Sequence, residues 1–169
     1  MTTYLIVREM RKLLGSLNTL LDKGVAHATG KKFDVGVLLE ARLAPDMFPL
    51  IRQIQICCDQ AKFAASRGAG KESPAHPDNE KTLDDLRARI SKVVEYLDGF
   101  QASDFAGIED RTISLPRWEG KSMRAIDYVI ENAMPNFFFH LTTAYLILRH
   151  NGVEIGKLDY LGALPFRQA

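Results

Sequence analysis

The sequence has little that would supply covalent staples, a strong electric field or a membrane span. Cys57 and Cys58 are its only cysteines, and a disulfide between sequence neighbours is strained because their Cα atoms lie about 3.8 Å apart. The 22 basic and 21 acidic residues give a net charge of +1, which attracts neither nucleic acid nor an anionic membrane. The longest uncharged segment, 132–148, falls short of the roughly 20 apolar residues that span a bilayer. We therefore expect no nucleic-acid and no membrane partner.

The familiar catalytic signatures are also missing. The sequence contains no nucleophile elbow, paired-cysteine motif, zinc-protease helix or dinucleotide fingerprint. Charge enters at Arg8 and Glu9 before an apolar leader segment is complete, so no signal peptide is predicted and a cytoplasmic location is expected. Cys57 and Cys58 are interpreted as small residues on or near a helix core face, with a redox pair as the minor alternative.

Hydrophobic periodicity is what the sequence does have. The 169 residues, 46% of them hydrophobic and 25% charged, are typical of a soluble protein, and we predict a single domain over 1–169. Apolar residues recur every three or four positions in four segments, which indicates amphipathic helices. These predicted helices run from Thr3 to about Ala28, from about Pro45 to Arg67, from Thr82 to Gly99, and from Ser122 to Arg149.

Polar residues and prolines mark where these helices should begin or bend. Asp46 is expected to cap the second helix, and Ser122 the fourth. Thr82 with Asp85 three residues later resembles a capping box for the third helix. Pro135 lies inside the fourth helix and should kink or break it, because proline lacks the backbone donor that a helix interior needs.

Two connections then set the expected topology. The polar segment Gly68–Lys81 could span at most about 46 Å when extended, whereas a helix of about 22 residues is about 33 Å long. The segment can therefore cross the whole bundle and let the second and third helices run parallel. Segment 100–121 is irregular, although it is β-prone around Ile113. We predict an all-α, up-down-down-up four-helix bundle with a kinked last helix and a long irregular segment between helices three and four.

Histidine is the remaining source of reactive or metal-binding groups. His27 and His76 are expected in solvent, and His150 is expected to be a cation at a helix C-terminus. His140 differs because it follows Phe137–Phe139 on the most apolar helix. It is either a core histidine held by a hydrogen bond or a metal ligand.

A metal needs at least three converging protein ligands. Asn136 lies one helical turn before His140 and shares its face, and Gln55 and Asp59 could contribute from the second helix. Asp59 also precedes Lys62 by three residues, so an ordinary surface ion pair is the competing interpretation. The candidate metal ligands are therefore His140 and Asp59, with Gln55 or Asn136 as further donors.

The run from Ala44 to Leu50, Asp59-Gln60-Ala61-Lys62, and the block from Pro135 to Tyr145 continuing through 149–157 resemble a bacterial family of unknown function in the DinB/YfiT-like metalloenzyme superfamily. The resemblance covers essentially the whole chain. It implies an up-down-down-up four-helix bundle that is commonly dimeric. It also implies that several relatives bind a divalent metal through three histidines, one on the second helix and two four apart on the last. Some of those relatives use thiol cofactors in transfer or isomerisation reactions.

This sequence departs from the three-histidine pattern. No histidine lies between positions 28 and 75, and the positions four before and four after His140 are Asn136 and Ala144. Only His140 can be carried over as a possible ligand.

Two functions are therefore expected to compete, and whether the protein is an enzyme stays open. The first is a homodimeric binding or structural module with a degenerate metal site, no cofactor, and possibly a small hydrophobic or amphipathic ligand between helices. The second is a transferase or hydrolase that depends on a divalent transition metal bound at a remodelled site around His140. The expectation of a dimer also rests on Phe137–Phe139, because three successive residues at about 100° cannot all face one core.

Overall fold

A computed structural model describes residues 2–167 and consists mainly of helices. These are α1 (Thr2–Lys31), α2 (Gly36–Glu40), α3 (Leu50–Ala69), α4 (Leu83–Asp98), α5 (Ala125–Asp127), α6 (Met134–His150) and α7 (Lys157–Leu161). A π-helical turn, Tyr128–Ala133, joins α5 to α6. Strands β1 (Thr112–Ser114) and β2 (Ser122–Arg124) form an antiparallel pair in which Ile113 faces Met123. Over the described residues, no helix is both long and apolar enough to cross a membrane.

The two middle helices of the bundle, α3 and α4, run parallel. Near their beginnings, Arg89 of α4 donates a hydrogen bond to the backbone oxygen of Gln55 on α3. Further along both helices, Tyr96 lies beside Ser66. The long connection after α3 therefore crosses the bundle, as its length predicted.

The first helix runs opposite to α4. Arg11, early in α1, pairs with Asp98 at the end of α4 at 2.8 Å, while Asp22, later in α1, pairs with Arg87 near the beginning of α4.

Helices α3 and α6 are likewise antiparallel. Gln53, early in α3, meets His140 in the middle of α6, and Arg67, late in α3, meets Tyr128 just before α6. Together these directions give the up-down-down-up bundle that the sequence predicts.

The apolar faces predicted from periodicity form the core. Leu17, Ile54, Ile90 and Ala144, one from each main helix, are each fully buried. Cys57 and Cys58 are also fully buried, as free thiols. Burial raises the pKa of both, that of Cys58 to about 12. Both thiols are therefore protonated and inaccessible, which is the core interpretation rather than the redox one.

Two of the predicted helix starts are wrong. Helix α3 begins at Leu50 with Pro49 at the N-cap position, and Asp46 lies in a turn before it. A residue that precedes proline disfavours helical angles, which keeps the segment before Pro49 out of the helix. Ser122 lies in β2 because it pairs with β1, so the helical segment begins only at Ala125.

Two other local predictions are confirmed. Thr82 and Asp85 form a reciprocal capping box at the start of α4, with each side chain accepting from the other residue's backbone N–H. Pro135 lies in the first turn of α6. The interruption there is a widened turn, in which the Met134 N–H donates to the Val129 oxygen five residues back.

Candidate functional site

His140 is a buried histidine paired with an amide from the facing helix. Its Nδ1 lies 2.6 Å from Oε1 of Gln53 on α3. The amide of Gln53 is oriented by its own Nε2, which donates to the backbone oxygen of Phe48 at 2.9 Å. Since Oε1 can only accept, Nδ1 carries the proton and donates it to Gln53. The lone pair of the neutral imidazole is then on Nε2.

The surroundings of His140 favour the neutral ring. Burial, and secondarily the positive charge of Arg52 on α3, lower the pKa of His140 to about 4. His140 is 8% exposed, so water can do little to stabilise a positive charge on its ring. At neutral pH the histidine is an uncharged hydrogen-bond donor in a largely apolar helix interface.

The residues around His140 do not fit a three-histidine metal centre. Within residues 2–167, no group of three or more histidine, cysteine, aspartate or glutamate side chains is placed to hold a metal ion. The second-helix partner of His140 is Gln53, and the sequence analysis did not identify it. One feature of the sequence could have indicated this residue: Gln53 is a polar side chain next to the apolar positions Leu50, Ile54 and Cys57 of the same helix.

Asp59 is placed elsewhere, in a charged cluster between α3 and α4. Its Oδ1 lies 2.9 Å from Nζ of Lys62 and 2.9 Å from Nη2 of Arg89. Along α3, Asp59 follows Gln53 by six residues, which corresponds to about 9 Å of helical rise. The ion pair with Lys62 therefore exists, but it is not the surface pair that was expected, since the Lys62 side chain is only 3% exposed.

Gln55 belongs to the same cluster and not to the surroundings of His140. Its Nε2 donates to Glu80 at 2.9 Å, and its Oε1 accepts from Arg52 at 3.1 Å. Asn136 is half-buried on α6. The structure thus brings His140 together with Gln53 and separates it from Asp59 and Gln55.

Arg89 is the centre of the charged cluster. Its side chain is 1% exposed, and its Nη1 donates to Asp78 at 2.6 Å and to Glu80 at 3.0 Å. Both carboxylates belong to the segment Gly70–Lys81, which we call the strap because it lies across α3 and α4. Burying a charge is costly unless it is paired, and the strap supplies two of the partners of Arg89.

A polar stripe on α3 could have revealed this cluster from the sequence. Five polar residues follow each other at helical spacing on one face of the helix: Arg52, Gln55, Asp59, Lys62 and Ser66. A second polar face on a helix that is already apolar on one side indicates a polar neighbour that covers it. That neighbour is the strap.

An apolar groove lies on the outer side of α6. It has a volume of about 460 Å³ and is lined among others by Leu43, Met47, Phe138, Phe139 and Leu146. Of the three consecutive phenylalanines, Phe137 is buried, Phe138 is half-buried and Phe139 is 58% exposed. Leu146, two turns further along the same face, is 40% exposed.

Comparison with known proteins agrees with this fold. Residues 4–161 match the family model described as a domain of unknown function (DUF1993). The chain is also similar to the crystal structure of a DinB family member protein from Shewanella denitrificans, with 50% sequence identity and a TM-score of 0.95, over 98% of this chain and 95% of that chain. No curated protein matches the chain significantly. The chain belongs to the DUF1993 family, a bacterial domain-of-unknown-function family with the DinB-like helical bundle.

Proposed function

We propose that the protein is a homodimeric, cytoplasmic binding or structural module, folded as one domain, whose metal site is degenerate. The observation that carries this proposal is the pairing of His140 with Gln53. On the second long helix, where metal-binding relatives are expected to have one of their three histidines, the group that faces His140 is the amide oxygen of Gln53. A neutral amide is a poor substitute for imidazole toward transition metals.

The charge near His140 supports the same conclusion. The positive charge of Arg52 contributes to lowering the pKa of His140, and it would oppose a divalent cation at the ring in the same way. Asp59, the carboxylate considered as a second ligand, is engaged by Lys62 and Arg89 instead. The site is therefore electrostatically unfavourable for a metal.

A metal-dependent transferase or hydrolase remains the second candidate. One observation favours it: with Nδ1–H donated to Gln53, the imidazole has the tautomer and orientation that metal-binding histidines usually have. Under this alternative, Nε2 of His140 would be the first ligand, and Asn136 the nearest further donor on the same helix face.

Metal analysis of protein purified without an affinity tag or chelator tests the two candidates. We expect a negligible content of divalent transition metal. We also expect that His140→Ala lowers the free energy of unfolding by about 1–3 kcal/mol, through a cavity and an unpaired Gln53 oxygen. His150→Ala, which replaces an exposed histidine on the same helix, serves as the control.

The opposite result has a distinct pattern. About one equivalent of metal per chain, retained in His150→Ala and lost in His140→Ala, would reject the degenerate site and favour the metal-dependent enzyme.

The groove on α6 supports the binding part of the proposal. Its exposed aromatic and aliphatic side chains form an apolar surface that also includes the exposed Thr142 and the buried Thr143. A volume of about 460 Å³ is within the usual range for small-molecule sites. We assign this surface to the homodimer contact, and a small hydrophobic ligand is the alternative occupant.

A further inference from the structure

We propose that the strap, Gly70–Lys81, is a pH-responsive cover that opens from the α3–α4 surface when His76 takes up a proton. The contact that carries the proposal is the one between Lys62 and His76. Nζ of Lys62 lies 3.0 Å from Nδ1 of His76, and an ammonium group can only donate. Nδ1 must therefore accept, which requires His76 to be neutral with its proton on Nε2.

Protonation of His76 would remove this hydrogen bond and replace it with a repulsion. The Lys62 side chain is 3% exposed, so its charge cannot be screened by water while the strap is closed. Two cations with nitrogen atoms 3.0 Å apart at a buried position repel strongly. The strap can relieve this repulsion by moving His76 into solvent, because Pro74, Ala75 and Pro77 beside it are already exposed.

The other charges around His76 help to decide whether its pKa is raised or lowered. The charged groups that face or flank the ring are Asp59, Lys62, Glu80, Asp85, Arg89, Lys92 and Glu95. Burial, Lys62 and Arg89 lower the pKa of His76, and they outweigh Asp59 and Glu80, which raise it. Tyr96, also near the ring, has a pKa raised by burial and stays neutral. The closed strap therefore disfavours the imidazolium.

The remaining anchors of the strap do not respond in the same pH range. Burial by itself would raise the pKa of Asp78, but its hydrogen bonds from Arg52 and Arg89 lower it. Burial of Glu80 is likewise outweighed by its own backbone N–H and by Arg89. Both carboxylates stay ionised at pH 5.5. His76 is thus the group of the strap whose ordinary pKa, 6.5, lies between pH 5.5 and 7.5, and the closed strap lowers that pKa.

The backbone at Asp78 is consistent with a segment held down by these contacts. Asp78 has φ of +53°, a left-handed conformation that non-glycine residues adopt infrequently. Its carboxylate accepts hydrogen bonds from both Arg52 and Arg89. Opening would expose the cationic side chains of Arg52, Lys62 and Arg89. It would remove Asp78 from Arg52 and Arg89 and leave Asp59 as the carboxylate beside Lys62 and Arg89.

Hydrogen exchange measured by mass spectrometry at pH 7.5 and 5.5 tests the proposal, with rates corrected for intrinsic exchange. A histidine that is free in the open strap has a pKa near 6.5, so lowering the pH to 5.5 should favour opening by up to about tenfold. We expect two strap amides that are hydrogen-bonded when it is closed, those of Lys71 and Lys81, to lose protection accordingly, while α4 and α6 keep theirs.

Substitutions of Lys62 and His76 distinguish the loss of their contact from a general loss of stability. His76→Gln keeps an acceptor for Lys62 that does not titrate, and it should leave the strap closed at both pH values. Lys62→Met removes the buried cation and should reduce the pH effect without abolishing it, because burial and Arg89 still lower the pKa of His76. His27→Gln, at a histidine outside the strap, should respond like the unmodified protein.

Two results would overturn the proposal. The first is equal protection of the Lys71 and Lys81 amides at both pH values in the unmodified protein. The second is an unchanged pH effect in His76→Gln. An NMR titration of the unmodified protein gives an independent check that needs no variant: the His76 pKa must lie below 6.5.

Discussion

At the scale of single residues, the important feature is a histidine whose chemistry is determined by a glutamine. Gln53 accepts the Nδ1 proton of His140 and is itself fixed by the backbone oxygen of Phe48. The imidazole is therefore held in one tautomer by a hydrogen-bond chain from α3. A buried polar pair of this kind rigidifies a core, whereas either partner left alone would destabilise it.

The buried position of His140 should make folding stability depend on pH. Its pKa is about 4 in the folded protein and 6.5 in the ordinary case, so the unfolded chain binds the proton first as pH falls. The stability that neutral His140 contributes is complete above pH 6.5 and is lost between pH 6.5 and 4.

We predict that His140→Gln reduces this dependence. Glutamine can still donate to Gln53, but it does not titrate. The free energy of unfolding of the unmodified protein should fall by up to about 3 kcal/mol more than that of the variant between pH 7 and 4. Urea unfolding followed by circular dichroism at four pH values measures the difference.

The matched control is His150→Gln on the same helix, which should retain the full pH dependence. Parallel curves for the unmodified protein and His140→Gln would contradict the assignment of His140 as a buried neutral histidine.

At the scale of elements, the junction between α5 and α6 determines how His140 is presented. The π-helical turn Tyr128–Ala133 adds a residue to the helical repeat just before Pro135. Proline has no N–H to donate to residue 131, so the wider turn accommodates the missing hydrogen bond. His140 lies five residues after Pro135. The direction in which its side chain leaves α6 therefore depends on how far the helix has turned at this junction.

We predict that Pro135→Ala changes the orientation of α6 more than the helix content. Restoring the N–H removes the constraint that favours the wide turn, and the junction can return to regular α-helical bonding. The far-ultraviolet circular dichroism should stay nearly constant. A crystal structure of the variant should show the His140 ring rotated relative to Gln53.

A variant structure with the π-helical turn and the His140–Gln53 distance both unchanged would show that tertiary packing alone determines the junction. Glu131→Ala, at the exposed residue whose oxygen would accept the restored bond, is a suitable control because it does not alter the backbone donors.

At the scale of the whole molecule, the apolar surface on the outer side of α6 has no neighbour among residues 2–167. Neither the irregular segment 100–121 nor another helix covers Phe139, which is 58% exposed. The strap covers α3 and α4 on the other side. Since Phe137–Phe139 cannot all face one core, at least one of them should meet another helix, segment 100–121 or a second subunit, and the proposed dimer assigns Phe139 to the second subunit. Exposed apolar patches of this kind often mark protein–protein contacts.

We predict a homodimer that depends on this surface. Light scattering should give about twice the chain mass of 19.0 kDa at micromolar concentration. The double substitution Phe139→Asp and Leu146→Asp should yield monomers, because two charges would be buried in the contact without partners.

Leu5→Asp is the control for a comparable loss of apolar surface. Leu5 is 60% exposed near the beginning of α1, away from the groove, and its replacement should leave the dimer intact. A monomer mass for the unmodified protein would contradict the prediction.

The sequence by itself determined the helices, their inward faces and the order of the bundle. These features depend on local spacing: the repeat of apolar residues, the Thr82 capping box and the length of the Gly68–Lys81 connection need no knowledge of distant partners. The family was also evident from local runs, above all the block from Pro135 to Tyr145.

Only the tertiary structure decided which polar residues meet. Gln53 and His140 are 87 residues apart, and Arg89 and Asp59 lie on different helices. Periodicity assigned Asp59 and Gln55 to the neighbourhood of His140, because it gives the face of a helix but not its axial position against another helix. The axial position follows from packing the two whole surfaces together, and that packing placed Gln53 against the histidine and turned the expected surface ion pair into a buried cluster.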